Sequence, residues 1–463
     1  MFNVAVSPFF VWQASYYLIM LIMRENDKNP ITFFAVTNYR DIRQKFGIRE
    51  KNRRGHIYIV GKTGTGKSTL IENMVISDVN DGHGLALIDP HGDLTEAVLD
   101  FVPKKRIKDV IYFNPGDIEY PIAFNPLESP YPDQHHLIAS GLISVFKKIW
   151  SEFWGPRLEH ILRNSILTLL EQPQSTILDI PRLLTDKDFR GGIIGRVNNQ
   201  QVREFWFFEF EKYSAWLRTE AVSPILNKMG QFLTSFPLRN IVGQKENTFD
   251  LKKVIDEGKI LIVNLAKGKI GEDNCSLLGA MIVTKIWLSA LSRANMPEEK
   301  RRSFYLYVDE IHSFLTLSFA DILSEARKYG LHMTLAHQYI DQLDDKVRGA
   351  IFGNIGTVIS FRVGIDDAEH LGKQFYPIFN QNDLINLPNY HIYLRLMIDG
   401  VTSQPFSAIT LLPPEKMRSY RNSIITLCRK KYSRPRKEAE KAILFRQSPY
   451  TARNITNNQK YLF

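Results

Sequence analysis

Cysteine is nearly absent. The 463-residue chain has two, Cys275 and Cys428, and they form no C-x-x-C pair. A disulfide framework and a thiolate metal site are therefore both unsupported, and a reducing compartment is expected. Eleven histidines show no metal-ligand spacing, and no internal repeat appears. A surplus of positive charge is missing from most of the chain as well. Residues 413–463 hold 13 Lys and Arg against 3 Asp and Glu, which is the whole of the net +10, so the first 412 residues are neutral. That body is not a generically basic surface, and any nucleic-acid contact there must come from local loops such as the one carrying Lys267 and Lys269. The basic segment is densest across 429–431 and 434–437. It suits phosphate backbones or anionic lipid headgroups, or else it is a solvated tail.

Residues 1–23 carry no charge at all, and 18 of them are apolar or aromatic. The stretch just spans a bilayer, and Arg24 and Lys28 would hold the C-terminal side in the cytoplasm. Pro8, Gln13 and Ser15 interrupt it, and it lacks the basic start and small-residue cleavage site of a signal peptide. A membrane anchor, a buried N-terminal hairpin and the remnant of a longer membrane domain all fit it.

The strongest positive signal is Gly61-Lys62-Thr63-Gly64-Thr65-Gly66-Lys67-Ser68-Thr69, which fits G-x-x-x-x-G-K-[ST]. Before it, His56 to Val60 reads as a buried parallel strand, and after it Leu70, Ile71, Met74 and Val75 fall on one side of a helix. Strand, glycine loop and helix together aim backbone N–H groups and a helix N-terminus at an anion. Lys67 is expected to reach the β- and γ-phosphates of ATP, and the Ser68 hydroxyl to ligate Mg²⁺. A second apolar run, Phe304 to Val308, ends in Asp309-Glu310. Placed on a strand next to the P-loop strand, Asp309 would hold the Mg²⁺ shell and Glu310 would polarise a water for attack on the γ-phosphate. The pair points to hydrolysis and not to binding alone.

Lys67 and Asp309 are 242 positions apart, so something is inserted between them. Strand signals at 84–89 and 110–113 give way to helical periodicity from about residue 134. Leu158, Ile161, Leu162, Ile166 and Leu169 share one face after the Gly155-Pro156 start signal. The aromatic run 203–217 reads as core of a helical subdomain in preference to a base-stacking surface. Strand patterns resume at 259–264, 304–308, 331–335 and 357–362. The expected division is a hydrophobic segment over 1–30, a first ATPase part over 31–133, an inserted helical subdomain over 134–249, a second ATPase part over 250–412 and a basic tail over 413–463.

Asp89-Pro-His-Gly-Asp93-Leu94, Phe124-Asn-Pro126, Val308-Asp-Glu310, Ala336-His-Gln338 and Phe361-Arg362-Val363 together resemble the HerA–FtsK group of hexameric DNA-pumping ATPases. Within that group the chain is most similar to type IV secretion coupling proteins of conjugative DNA transfer, over residues 31–412. The resemblance implies an α/β fold, a RecA-like P-loop NTPase with a central, mostly parallel sheet and an inserted all-α subdomain. It further implies a homo-hexamer around DNA, with a relaxase, secretion-channel proteins and the inner membrane as partners. Gln338 would sense the γ-phosphate, and Arg362 would act as an arginine finger in the neighbouring subunit. On the residues alone, Gln338 also reads as a polar loop residue and Arg362 as an intramolecular salt-bridge partner. Asp89 and Asp93 also read as turn and helix-cap residues. A cytoplasmic DNA-processing or packaging ATPase, a non-motor ATP switch and a protein-secretion ATPase are the competing functions.

Overall fold

The computed structural model describes residues 30–447, except 39–41, 130, 317 and 416–417. The uncharged stretch over 1–23, read as an anchor, a buried hairpin or the remnant of a membrane domain, and the end of the basic segment, 448–463, lie outside the described residues. Two compact units emerge. One holds the described residues through Ile111 with Lys252–Asn264 and Ser289–Ile424; the other holds Tyr112–Leu251, Leu265–Leu288 and the described residues from Ile425 onward. The helical unit thus extends beyond the expected 134–249 on both sides.

The first unit is built on a sheet. Its strands are β1 (Ile31–Thr37), β2 (Lys45–Arg49), β3 (Ile57–Val60), β4 (Gly84–Asp89), β5 (Val110–Phe113), β6 (Ile260–Asn264), β7 (Phe304–Val308), β8 (Leu331–His337), β9 (Thr357–Ser360), β10 (His391–Arg395) and β13 (Phe406–Thr410). A separate two-stranded pair is formed by β11 (Met397–Ile398) and β12 (Val401–Thr402). The large sheet runs β2-β1-β13-β10-β9-β3-β8-β7-β4-β6-β5. From β9 to β6 the pairing is parallel and every residue is buried, as for strands covered on both faces. From β10 to β2 the pairing is antiparallel, and β10 and β13 alternate buried with half-buried positions.

One expectation about this sheet is corrected. The sequence leads one to expect the strand ending in Asp309-Glu310 next to the P-loop strand, but β8 lies between β3 and β7. Apolar runs of similar composition carry no record of their neighbours, so strand order was not readable from them. The inserted β8 ends one residue before Gln338, which places that amide between the P-loop and the acidic pair.

The second unit is mostly helical. The Pro156–Leu170 helix starts at Gly155 with proline in its first turn, and it buries Leu158, Ile161, Leu162, Ile166 and Leu169. The Ala215–Thr234 helix is capped by Ser214 and continues through Pro224. The aromatic run divides: Phe205, Trp206 and Phe210 are buried, whereas Phe207, Phe208 and Trp216 are exposed. Asn125, from the Phe124-Asn-Pro126 motif, is a structural cross-link. Its Nδ2 donates to Ser175 O and Lys245 O at 2.8 Å each, and its Oδ1 accepts from Leu127 N.

From Arg421 to Gln447 the basic segment is folded and is not a solvated tail. It forms the Arg421–Tyr432 and Arg436–Gln447 helices, which bury Ile424, Cys428 and Tyr432, and then Ala439 and Ile443. Arg429 pairs with Asp117 at 2.7 Å, and Arg436 with Glu440 at 2.9 Å and Glu119 at 3.3 Å. Both cysteines are buried and neither is in a disulfide. Among the described residues, only the Glu272–Leu291 helix is long and apolar enough to cross a membrane, and 67% of its apolar window is buried.

Candidate active site

The P-loop turns at Gly64 and Gly66, whose φ angles of +75° and +119° favour glycine, and enters the Lys67–Asp81 helix. Gly66 also has no room for a side chain. A Cβ there would lie 2.9 Å from the Tyr390 ring and 3.1 Å from that of Phe361. Lys67 folds back under the loop, with Nζ donating to Gly61 O at 2.6 Å and Lys62 O at 3.2 Å. Burial lowers its pKa, and Glu310 and Asp309 pull it back up. Ser68 is exposed at the start of the helix and Thr69 is half-buried.

Asp309 and Glu310 follow β7 and are both 4% exposed. Burial, then Glu310 and Asp89, push the Asp309 carboxyl up to about 7. Glu310 sits in the left-handed region, φ +47° and ψ +55°, which is strained for a residue with a Cβ. Its backbone N–H donates to Asp309 Oδ1 at 3.0 Å. Gln338 Nε2 donates to Glu310 Oε1, and Thr63 Oγ1 donates to Gln338 Oε1 at 3.0 Å. Glu310 Oε2 is buried and accepts no hydrogen bond, with His312 Nδ1 3.5 Å away. The fold therefore draws Lys67, Asp309, Glu310 and Gln338 to one edge of the parallel sheet, where α/β folds bind ligands.

The acidic pair fits Mg²⁺ in a specific way. Its raised Asp309 pKa and orphaned Glu310 oxygen mark carboxylates short of positive charge. Among the described residues no group of three His, Cys, Asp or Glu side chains is arranged to hold a metal. Ser68 and Asp309 alone would be a partial ligand set, as is usual for Mg²⁺ that arrives with phosphate and water.

The other expected residues are engaged in bonds of their own or lie away from the acidic pair. Asp89 is fully buried and accepts from His91 N at 2.8 Å and Thr95 N at 3.1 Å, so it closes the turn and caps a helix. Asp93 is exposed in the first turn of the Asp93–Leu99 helix. Arg362 lies two residues past β9 and is bonded within its own chain, donating to Leu387 O at 3.3 Å and Asn389 Oδ1 at 2.9 Å. Lys267 and Lys269 are exposed on the short Lys267–Ile270 helix. Sequence reasoning missed three residues of this edge. His337 is buried against His312, with ring centroids 5.1 Å apart, and burial with His312 lowers its pKa to about 3. Tyr390 closes over Gly66. The Pro388-Asn389 turn signal marks its loop, but no local pattern shows that the loop returns to the P-loop.

Residues 44–374 match the family described as type IV secretion-system coupling protein DNA-binding domain. The chain belongs to this family. Solved structures share the fold, among them the following three. The bacterial conjugative coupling protein TrwBdeltaN70, in an unbound form, aligns at a TM-score of 0.59 and 17% identity, covering 87% of this chain and 93% of that one. Plasmid coupling protein TrwB in complex with ADP and Mg²⁺ aligns at 0.60 and 17%, covering 88% and 94%. VirB4 of Thermoanaerobacter pseudethanolicus aligns at 0.54 and 14%, covering 84% and 98%. No curated protein sequence matches the chain. The coupling-protein chain therefore has the RecA-like P-loop NTPase fold, α/β with a mostly parallel central sheet.

Proposed function

We propose that this coupling protein hydrolyses ATP with Mg²⁺ and uses the turnover to move DNA in conjugation or type IV secretion. The observation that carries the reading is the Thr63–Gln338–Glu310 chain of side chains, which links the P-loop directly to a buried carboxylate. Nucleotide-bound TrwB structures support the choice of ligand. Backbone N–H groups of Gly61, Lys62 and Thr65 already donate to His337 O, Arg362 O and Lys62 O, so those of residues 63, 64 and 66–69 would cradle the phosphates. Lys67 exchanges its carbonyl partners for the β- and γ-phosphates. Ser68 and Asp309 would hold Mg²⁺, which neutralises phosphate charge when bound. Glu310 orients and deprotonates the attacking water, and Gln338, already bonded to both sides of the cleft, registers the γ-phosphate.

Arg362 leaves Leu387 and Asn389 to serve the adjoining subunit of a homo-hexamer, where a guanidinium stabilises phosphoryl charge. Relaxase and secretion-channel partners, and a tether at the cytoplasmic face of the membrane, complete the proposal. The test is ATP turnover with and without single- and double-stranded DNA, using wild type, Lys67→Ala, Arg362→Ala and a mixture of the two variants under demonstrated subunit exchange. DNA should raise wild-type turnover, each variant should be inactive and the mixture should recover part of the activity. Turnover within twofold of wild type in Lys67→Ala rejects the P-loop assignment. Indifference to DNA rejects the motor, and no recovery rejects the finger in trans.

A further inference from the structure

We infer that Tyr390 is the stacking platform for the purine base of the nucleotide, an inference that rests on the ATP reading above. The P-loop is gripped at two places by different elements. At its catalytic end Thr63 is tied to Gln338, and through it to Glu310. At its other end Tyr390 N donates to Thr65 O at 2.8 Å, and the Tyr390 ring lies against Gly66. The γ-phosphate must lie on the Gln338 and Glu310 side, because hydrolysis occurs there. A nucleotide threaded along the loop then carries its ribose and base away from that side, past the start of the Lys67–Asp81 helix. The strand order agrees, since β8 and β7 flank β3 on one side and β9 and β10 on the other. Tyr390 immediately precedes β10.

The residue is held in a way that core packing alone does not explain. Tyr390 has φ +65°, a strained value for any residue with a side chain. The strain is fixed from both ends of the peptide, since its carbonyl also accepts from Thr410 N at 2.9 Å. This backbone, bonded at both ends, presents a tyrosine that is 40% exposed beside the phosphate loop. A preorganised aromatic face binds any purine by stacking and reads no base-specific hydrogen bonds. The platform would accept adenine and guanine nucleotides alike.

The experiment compares equilibrium binding of MgATP, MgGTP and magnesium tripolyphosphate, which has the phosphates but no base. It uses wild type, Tyr390→Trp and Tyr390→Leu, with thermal melts to confirm folding. Leucine keeps apolar bulk over Gly66 but offers no π-face. Tyr390→Leu should weaken both nucleotides about tenfold, the scale of one lost base–aromatic stack, and leave tripolyphosphate binding unchanged. Tyr390→Trp should bind both nucleotides at least as well as wild type. Equal weakening of tripolyphosphate would show that Tyr390 only braces the loop, and unchanged nucleotide binding would exclude contact with the base. Either result overturns the inference while leaving the ATP reading intact. Wild type that binds none of the three ligands would instead reject the ATP reading.

Discussion

The sheet-bearing unit contains two buried ionic clusters, and they are built on opposite principles. Arg53 and Asp78 are both buried, and nearly every polar atom is answered. Arg53 donates to Asp78 through two nitrogens at 2.5 and 2.9 Å, to Tyr307 at 2.6 Å and to Thr32 at 2.9 Å. Tyr307 in turn donates to Asp78 at 2.6 Å, and the guanidinium lies 3.7 Å over the Tyr305 ring. At the nucleotide edge, Asp309 and Glu310 crowd two carboxylates together, with one backbone strained and one oxygen unanswered. The first arrangement is what a chain does with buried charge that has only to stay folded. The second leaves charge uncompensated in the folded protein, and the Mg²⁺ that accompanies a nucleotide would offset it.

The contrast can be broken most sharply at Glu310. Glu310→Gln keeps an acceptor for Gln338 but removes the charge, so turnover should fall by about 10²–10⁴ while nucleotide stays bound. The melting temperature should hold or rise, because an uncompensated buried carboxylate is removed. Loss of folding in this variant would put Glu310 in the same class as Asp78.

Arg53→Met should show the reverse pattern. It leaves Asp78 buried without its main partner, at a cost of about 3–5 kcal/mol of stability in denaturant titrations. Turnover per folded molecule should be preserved. A stable Arg53→Met variant with impaired turnover would mean that this cluster also serves the site.

The smallest expected effect is a pH dependence. Burial alone would raise the Asp78 pKa, but Arg53 and His83 more than reverse this and hold it at about 2. A depressed carboxyl contributes stability above its unfolded value near 4, and that stability is lost as pH falls toward 2. Asp78→Asn should therefore be less stable at neutral pH, with a flatter stability curve between about pH 4 and pH 2. An unchanged acid limb would show that other carboxylates dominate acid unfolding.

How much of this was legible follows from how local each signal is. The P-loop and the Asp309-Glu310 strand end could be read because each is one turn or one apolar run. Gln338 and Arg362 could be named from the motifs that contain them. Arg53 could not be told apart from Arg54 beside it, since its partners are Thr32, Asp78 and Tyr307, brought together only by the sheet. The position of β8 and the return of Tyr390 to Gly66 are long-range in the same sense. The tail misled for a different reason. Counting its charges hid the four-residue spacing of Ile424, Cys428 and Tyr432, which was enough to seat a helix.

That seated helix changes what a net charge of +10 means. A polyanion gains affinity for a basic surface largely by releasing the small ions condensed on it as protein cations take their place. Arg429 and Arg436 already hold carboxylates of their own chain as counterions. To grip a phosphate they would first have to give up Asp117 and Glu440, an exchange of one anion for another. The salt dependence of DNA binding by this protein should thus report fewer contacts than its 13 tail cations, because folding has already spent some of them internally.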